Sequence, residues 1–151
     1  MRLTSSAFAP NGRIPVQFTC DGADVSPPLA WSDPPAGTRG FALICADPDA
    51  PGRVWHHWGM YNVPAATRSL TEHWPEASRT PSQAINDFGR IGYGGPCPPR
   101  GDAAHHYHFQ LYALDVAQLS LGPNVYCHHV DAAARLHTIA VAELIGLYGR
   151  R

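Results

Sequence analysis

The sequence contains no lysine, since all eleven of its basic residues are arginines. Schiff-base chemistry and the lysine of a phosphate-binding P-loop are therefore excluded. Charged residues make up only 15% of the 151 residues, and the formal net charge is −1 with histidine neutral. A net charge this close to zero leaves no electrostatic footprint for nucleic acid or for an anionic membrane surface. We therefore expect no nucleic-acid partner.

Long apolar runs and cysteine pair motifs are also missing. No apolar stretch approaches the roughly 18 residues that a membrane-spanning helix requires, so we expect no integral membrane association. The N-terminal residues 1–15 lack the continuous apolar segment of a secretion signal, which predicts a cytoplasmic protein. The cysteines form no C-x-x-C motif, which disfavours structural zinc. An even number of cysteines permits two disulfides, but for a cytoplasmic protein we expect reduced thiols at Cys20, Cys45, Cys97 and Cys127.

Proline and glycine, by contrast, are abundant, with 15 and 14 residues respectively. Such a composition predicts many turns and short elements, and it argues against a helical bundle. The hydrophobic fraction of 44% is enough for a packed core. A chain of this length and uniform composition is typical of a single domain, here residues 1–151.

The hydrophobic pattern predicts a mainly β fold with one helix near the C-terminus. The run 40–46 is apolar throughout and favours a strand covered on both faces. The long loop 86–102 holds five glycines and three prolines, and the stretch 64–86 looks irregular. Apolar residues at helical spacing predict a helix over 131–148 that begins at Asp131 as its N-cap. The further strands are predicted at 14–20, 54–63 and 105–115.

Ionisable side chains concentrate where the predicted strands end. Asp47 and Asp49 follow one strand, and His56 and His57 begin the next. Because side chains alternate along a strand, only one histidine of this pair can enter a given pocket. The same alternation in the last strand leaves two sets open, His105 with Tyr107 or His106 with His108.

Aspartate and histidine in one pocket permit several chemistries. A carboxylate favours the protonated form of a neighbouring imidazole. Such an imidazole, a tyrosine hydroxyl and the N–H groups of Gly92, Gly94 and Gly95 can hold an oxyanion or a phosphoryl group. The same side chains can act as general acid and base. Two histidines on one face within His105–His108 have the H-x-H spacing of metal ligands, but no third ligand is evident in the sequence. We therefore expect no metal and no cofactor.

Six motifs follow one another along the chain: FTCDGADVSPPLAW (18–31), DPDAP (47–51), WHHW (55–58), N-x-P (62–64), NDFGRIGYGGPCPPRG (86–101) and HHYHFQLYALD (105–115). Taken in this order, they resemble the phosphatidylethanolamine-binding protein family, in its bacterial and archaeal branch that is similar to Raf kinase inhibitor protein. The segment 136–150 also resembles the last helix of that family, so the resemblance covers almost the whole chain.

The resemblance implies antiparallel β-sheets packed as a sandwich, long Pro/Gly loops, a C-terminal helix and a pocket for small anions. Carried over residue by residue, it selects His57 from the first pair and His105 with Tyr107 from the two open sets. It places His106 where the family usually has arginine, facing away from the pocket. The ligand-binding residues that it implies are Asp47, Asp49, Ala50, Pro51, His57, Gly94, Gly95, Pro96, Pro98, Pro99, His105 and Tyr107.

Three functions remain open at this point. The first is binding of a small anionic or phosphoryl ligand, tighter as the pH falls towards the histidine pKa. The second is inhibition of a kinase or protease, although only GRV separates DPDAP from the tryptophan, which weakens a transfer of that role. The third is an enzyme with Asp47, His57 and His105 as acid and base, but the family resemblance implies no reaction. The resemblance also predicts a homodimer, with no protein partner identified.

Overall fold

The computed structural model describes residues 1–76 and 81–151, and most of its elements are strands. The elements are β1 (Arg2–Thr4), β2 (Leu29–Ser32), β3 (Gly40–Asp47), β4 (Trp55–Pro64), β5 (Ser69–Leu70), β6 (Ser82–Gln83), β7 (His105–Leu114), α1 (Cys127–Arg135) and β8 (Thr138–Tyr148). The strands form a larger antiparallel sheet with the order β6-β4-β3-β7-β8 and a smaller one with the order β1-β2-β5. The predicted mainly β fold of antiparallel sheets is therefore confirmed.

The central strand β3 is buried along its whole length, as its apolar run predicts. Phe41, Leu43 and Cys45 face the small sheet, on the side that we call the sandwich face. The alternate residues of β3 face α1, on the side that we call the helix face. The neighbouring strand β7 divides its side chains in the same way, with Tyr107, Phe109 and Leu111 on the sandwich face and Tyr112 and Leu114 on the helix face.

The predicted helix over 131–148 is wrong in both position and length. The helix α1 ends at Arg135, and its N-cap is Tyr126, so Asp131 lies inside it. Residues Thr138–Tyr148 form β8, which pairs with β7 from Thr138 to Tyr148. Within β8 the buried apolar positions alternate, as Ala142, Leu144 and Tyr148 show. The apolar residues of this segment fit both the helical period of about 3.6 and the strand period of about 2. The segment forms a strand because it pairs with the edge of β7.

Two other predicted segments differ from the structure. The strand expected over 14–20 is a short 3-10 helix, Val16–Phe18, because the fixed φ of Pro15 sets up a turn there. The stretch 64–86 contains the two short strands β5 and β6, and its residues 77–80 lie outside the described residues. In the part of the chain that the structure describes, no helix is both long and apolar enough to cross a membrane.

The expectation of four reduced cysteines is wrong for Cys20 and Cys97, which form a disulfide across 77 residues of sequence. Cys45 and Cys127 are free and buried. The loop after the 3-10 helix packs against the loop 94–99, and the Cys20 N–H donates to the carbonyl of Pro96 at 3.1 Å. This packing brings the two Cα atoms to 5.4 Å, a proximity that cysteine spacing alone does not reveal.

Candidate functional site

A pocket of about 230 Å³ opens at the end of the large sheet where β3 ends and β4 and β7 begin. Four polar side chains line it, one carboxylate and three aromatic rings, and the remaining wall is largely apolar. The lining residues are Asp47, Ala50, Pro51, Trp55, His57, Phe88, Cys97, Pro98, Pro99, His105 and Tyr107. The structure thus brings together Asp47, one histidine of the first pair, and the His105–Tyr107 set.

A β-bulge decides which histidine of β4 enters the pocket. Cys45 pairs with Trp58, but the next residue of β3, Ala46, pairs with His56, so His57 is an extra residue between them. A bulge of this kind re-aims a side chain, and here His57 lines the pocket while His56 lies on the helix face beside Ala46. Alternation limited the choice to one histidine of the pair, but it does not show the bulge.

His105 lies between two carboxylates. Its Nδ1 is 2.7 Å from Oδ2 of Asp47, and its Nε2 is 3.1 Å from Oδ2 of Asp102. Burial disfavours the charged ring, but the hydrogen bonds to Asp47 and Asp102 outweigh it and raise the pKa of His105. His105 is therefore held as an imidazolium that donates from both nitrogens. Asp102 was missed by the sequence analysis, since it lies at the end of the Gly/Pro loop without a motif of its own.

His57 has the opposite protonation state to His105. Only 3% of the residue is exposed, and its Nδ1 lies 2.7 Å from the carbonyl oxygen of Gly94. A carbonyl oxygen only accepts, so Nδ1 carries the hydrogen and donates it. Burial lowers the pKa of His57, although the carbonyl of Gly94 and the charge of Asp47 act in the other direction. His57 is thus neutral where His105 is charged.

The hydroxyl of Tyr107 is buried and has no hydrogen-bond partner among residues 1–76 and 81–151. Its ring packs edge-on against His57 at 5.2 Å and lies nearly parallel to His105 at 6.4 Å between centroids. Burial raises the pKa of Tyr107 well above its ordinary value, so the group stays a neutral O–H donor. An unsatisfied buried hydroxyl costs about 1–3 kcal/mol, which makes it the clearest unmet polar group of the pocket.

Asp49 does not line the pocket. The Oδ1 atom of Asp47 accepts the N–H of Asp49 at 2.8 Å, which turns the chain after β3. The Asp49 carboxylate then accepts both the backbone N–H of His106 at 2.8 Å and its Nδ1 at 2.7 Å. These bonds lower the pKa of Asp49. Asp49 therefore fixes the DPDAP turn to the start of β7, and His106 lies outside the pocket, where the resemblance places it.

Gly94, Gly95 and Pro96 lie behind the lining residues. The N–H of Gly94 donates to the carbonyl of His57 at 2.9 Å, and that of Gly95 donates to Oδ1 of Asp24 at 2.7 Å. These N–H groups are used within the protein. A Cβ on Gly95 would collide with the carbonyl oxygen of Phe18, so close packing explains this glycine.

Aromatic side chains complete the rim of the pocket. Trp55 and Phe88 meet edge-on at 5.5 Å, and the Arg53 guanidinium lies 5.3 Å from the Trp55 ring centre. Asp87 holds Arg53 at 2.8 Å and also accepts the backbone N–H of His56 at 2.7 Å. Trp55 lies in the WHHW motif, whereas nothing local marked Phe88 as a lining residue. Within the described ranges, no group of three or more His, Cys, Asp or Glu residues is arranged to hold a metal ion.

Comparison with known proteins places this geometry in a family context. Residues 4–149 match the family model described as phosphatidylethanolamine-binding protein. A UPF0098 protein of Methanothermobacter thermautotrophicus is 47% identical over 153 residues, and the match covers 99% of each chain. The crystal structure of Escherichia coli YbcL, described as a member of the mammalian PEBP family, superposes with a TM-score of 0.93 at 33% identity and covers 99% of this chain and 98% of that one. A PEBP homologue from Chlamydia trachomatis gives 0.87 at 40% identity, covering 99% and 97%.

Proposed function

Because the chain belongs to the phosphatidylethanolamine-binding protein family, we propose that it binds a small anion of the phosphoryl class in the pocket of Asp47, His57, His105 and Tyr107. The observation that carries the proposal is the buried Tyr107 hydroxyl, which has no partner in the described residues. An anionic oxygen is the acceptor that this donor lacks. The predicted residues that line the same pocket are Asp47, Ala50, Pro51, His57, Pro98, Pro99, His105 and Tyr107.

The charge of the pocket disfavours a highly charged anion. Among the described residues, the His105 imidazolium is the one cation in contact with Asp47, and it also neutralises part of Asp102 at the rim. One positive and two negative groups leave no net positive charge to attract a polyanion. The apolar wall suits a compact ligand with a small substituent. Asp49 and the Gly94–Pro96 segment act in this proposal by holding the wall in place.

The geometry argues against His105 as a general base. Both nitrogens of His105 are engaged by carboxylates, so this ring is not free to act as a general base. The inhibitor role and the homodimer stay predictions from the sequence. So does the cytoplasmic location, against which the Cys20–Cys97 disulfide weighs because reducing compartments keep thiols reduced.

The test is a titration of the histidine ring signals with inorganic phosphate by NMR, on the wild type and on Tyr107→Phe. In the wild type we expect the His57 and His105 signals to shift together. Loss of a hydrogen bond to a charged group predicts a Kd about 10- to 100-fold higher in Tyr107→Phe. The matched control is Tyr112→Phe, whose hydroxyl donates to Asp131 at 2.8 Å on the helix face and should leave the Kd unchanged.

The ligand-free stability of Tyr107→Phe separates a ligand contact from a structural one. The hydroxyl has no partner to lose, so the free energy of unfolding should stay the same or rise. Ring signals that do not respond to phosphate, or equal phosphate affinity in Tyr107→Phe and Tyr112→Phe, would contradict the proposed function.

A further inference from the structure

His57 presents a lone pair to the pocket. Its Nδ1–H donates to Gly94, and in a neutral imidazole this leaves Nε2 as an acceptor. No hydrogen bond from the described residues reaches Nε2. The same pocket holds the Tyr107 hydroxyl, a donor without an acceptor. A ligand that fits both groups must therefore accept one hydrogen bond and donate another.

None of the described groups named below supplies a hydrogen-bond donor to Nε2 of His57. Asp47 faces His57 from β3, and it is an acceptor engaged by His105 and the Asp49 N–H. From β7, His105 already donates both of its hydrogens to carboxylates. From the loop 86–102, Asp87 is held by Arg53 at 2.8 Å. The only free donor among these groups is the Tyr107 hydroxyl, and no charged donor is left for a dianion.

We propose that the ligand binds with its own acidic proton: a P–O–H group donates to Nε2 of His57, while the Tyr107 hydroxyl donates to a second oxygen of the same phosphoryl group. The ligand class is then free phosphate or a phosphate monoester in its monoanionic form. A phosphodiester, such as a phospholipid headgroup, has no proton at that position. This inference rests on the proposed function and specifies which form of phosphoryl ligand the pocket takes.

The proton makes the affinity depend on pH in a defined direction. The second pKa of a phosphate monoester is about 6, so at pH 8 the free ligand is almost entirely a dianion. Binding at pH 8 must then take up about one proton, and the affinity falls up to tenfold for each pH unit above about 7. At pH 5 the free monoester already carries the proton, so little uptake remains.

Calorimetry with two small esters tests the inference on the unmodified protein. Methyl phosphate is the monoester, and dimethyl phosphate is the matched diester in which a methyl group replaces the acidic proton. Each is titrated at pH 5 and pH 8 in two buffers of different ionisation enthalpy that contain neither phosphate nor carboxylate. At pH 5 we expect dimethyl phosphate to bind at least tenfold more weakly, since it lacks the hydrogen bond to Nε2. At pH 8 we expect about one more proton taken up with methyl phosphate than with dimethyl phosphate.

The outcomes separate this inference from the proposed function. If neither ester binds at either pH, the proposed function itself fails. If both esters bind equally tightly, or take up equal numbers of protons, the anion pocket stands and the inference is overturned, because a shared uptake belongs to a histidine of the protein and not to the acidic proton of the monoester. Tyr107→Phe should weaken both esters by the same factor and keep the difference in proton uptake; loss of that difference in the variant would also overturn the assignment.

Discussion

The two faces of the large sheet carry histidines at neighbouring positions of the same strands, but these histidines differ in how far they are exposed to solvent. On the sandwich face, His57 and His105 are buried, with 3% and 4% of the residue exposed. On the helix face, the side chains of His56, His106 and His108 are 14%, 52% and 27% exposed, and they lie beside Asp87, Asp49 and Glu143 respectively. Burial therefore distinguishes the two histidines of the pocket from the three on the helix face.

The cavities on the two faces differ in the same way. The helix face has the larger cavity, about 340 Å³, lined by His56, His108, Asp131 and Arg135 among others. Each of these charged or polar groups has a partner: His56 lies beside Asp87, His108 beside Glu143, and Arg135 beside Asp131. Among the described side chains, the Tyr107 hydroxyl is the one buried hydrogen-bond donor without a partner that lines either cavity. The proposed binding site is thus the cavity with an unmet polar group, although its volume is the smaller of the two.

The largest expected effect comes from removing the Cys20–Cys97 disulfide, whose Cys97 lines the pocket. Removing the Cys20–Cys97 disulfide frees a loop of 77 residues in the unfolded chain, and the chain-entropy model predicts a loss of about 4 kcal/mol. The double variant Cys20→Ser/Cys97→Ser should show this loss in urea unfolding.

Dithiothreitol supplies the control for this experiment. It should lower the stability of the wild type to that of the double variant, and it should leave the variant unchanged because Cys45 and Cys127 are already free. Equal stability of oxidised wild type and double variant would show that hydrogen bonding alone, as between Cys20 and Pro96, holds the pocket wall.

The next effect compares one histidine from each face. His105→Gln removes the partner of a buried carboxylate, since the side chains of His105 and Asp47 are only 5% and 4% exposed. Breaking such a pair costs about 3–5 kcal/mol. On the helix face, His108→Gln breaks a more exposed pair with Glu143, worth at most about 1 kcal/mol. Urea unfolding at pH 6 measures both variants, and similar losses would remove the proposed difference between the faces.

Within the sandwich face, His57 and His105 should act on stability with opposite pH dependence. The folded-state pKa of His105 is raised above 6.5, so its contribution is full below pH 6.5 and is lost as the pH rises through the folded-state pKa. The folded-state pKa of His57 is lowered, so stability falls as the pH drops below 6.5. Each pH unit between the folded and unfolded pKa values corresponds to about 1.4 kcal/mol.

Urea unfolding between pH 5 and pH 8 separates the two contributions. His57→Gln should lose less stability than the wild type between pH 7 and pH 5. His105→Gln should lose less than the wild type as the pH rises above 6.5. Identical pH profiles for the wild type and both variants would mean that neither histidine changes its pKa on folding.

The sequence predicted the pocket better than the elements that surround it. Alternation and the motif resemblance together pointed to His57, His105 and Tyr107. The placement of these side chains depends on local strand geometry, which can be predicted from short motifs. The Cys20–Cys97 pair depends on how distant loops pack, which no local pattern encodes. Asp102 lies only three residues before His105, but no motif marks it. The state of His57 depends on the bulge in β4 and on the Gly94 carbonyl, and both require the backbone path.

The C-terminal strand shows the limit of hydrophobic periodicity. Leu136 and Leu144 fit a helical stripe, but Leu136 is 81% exposed and Leu144 is buried. The segment forms a strand because β7 offers an open edge along its whole length, and pairing with it buries Leu144 beside Phe109. Edge pairing between distant segments overrides a local pattern that fits both periods.

The smallest expected effect tests whether the helix-face cavity is independent of the pocket. Arg135 pairs with Asp131 one turn earlier on α1, at 3.2 Å, and its side chain is 60% exposed. Arg135→Gln should therefore cost only about 0.3–0.5 kcal/mol in urea unfolding. Its phosphate affinity should equal that of the wild type, because β3 and its fully buried side chains separate this cavity from Tyr107. A weakened response of His57 or His105 to phosphate in this variant would instead show that the two faces are coupled through the sheet.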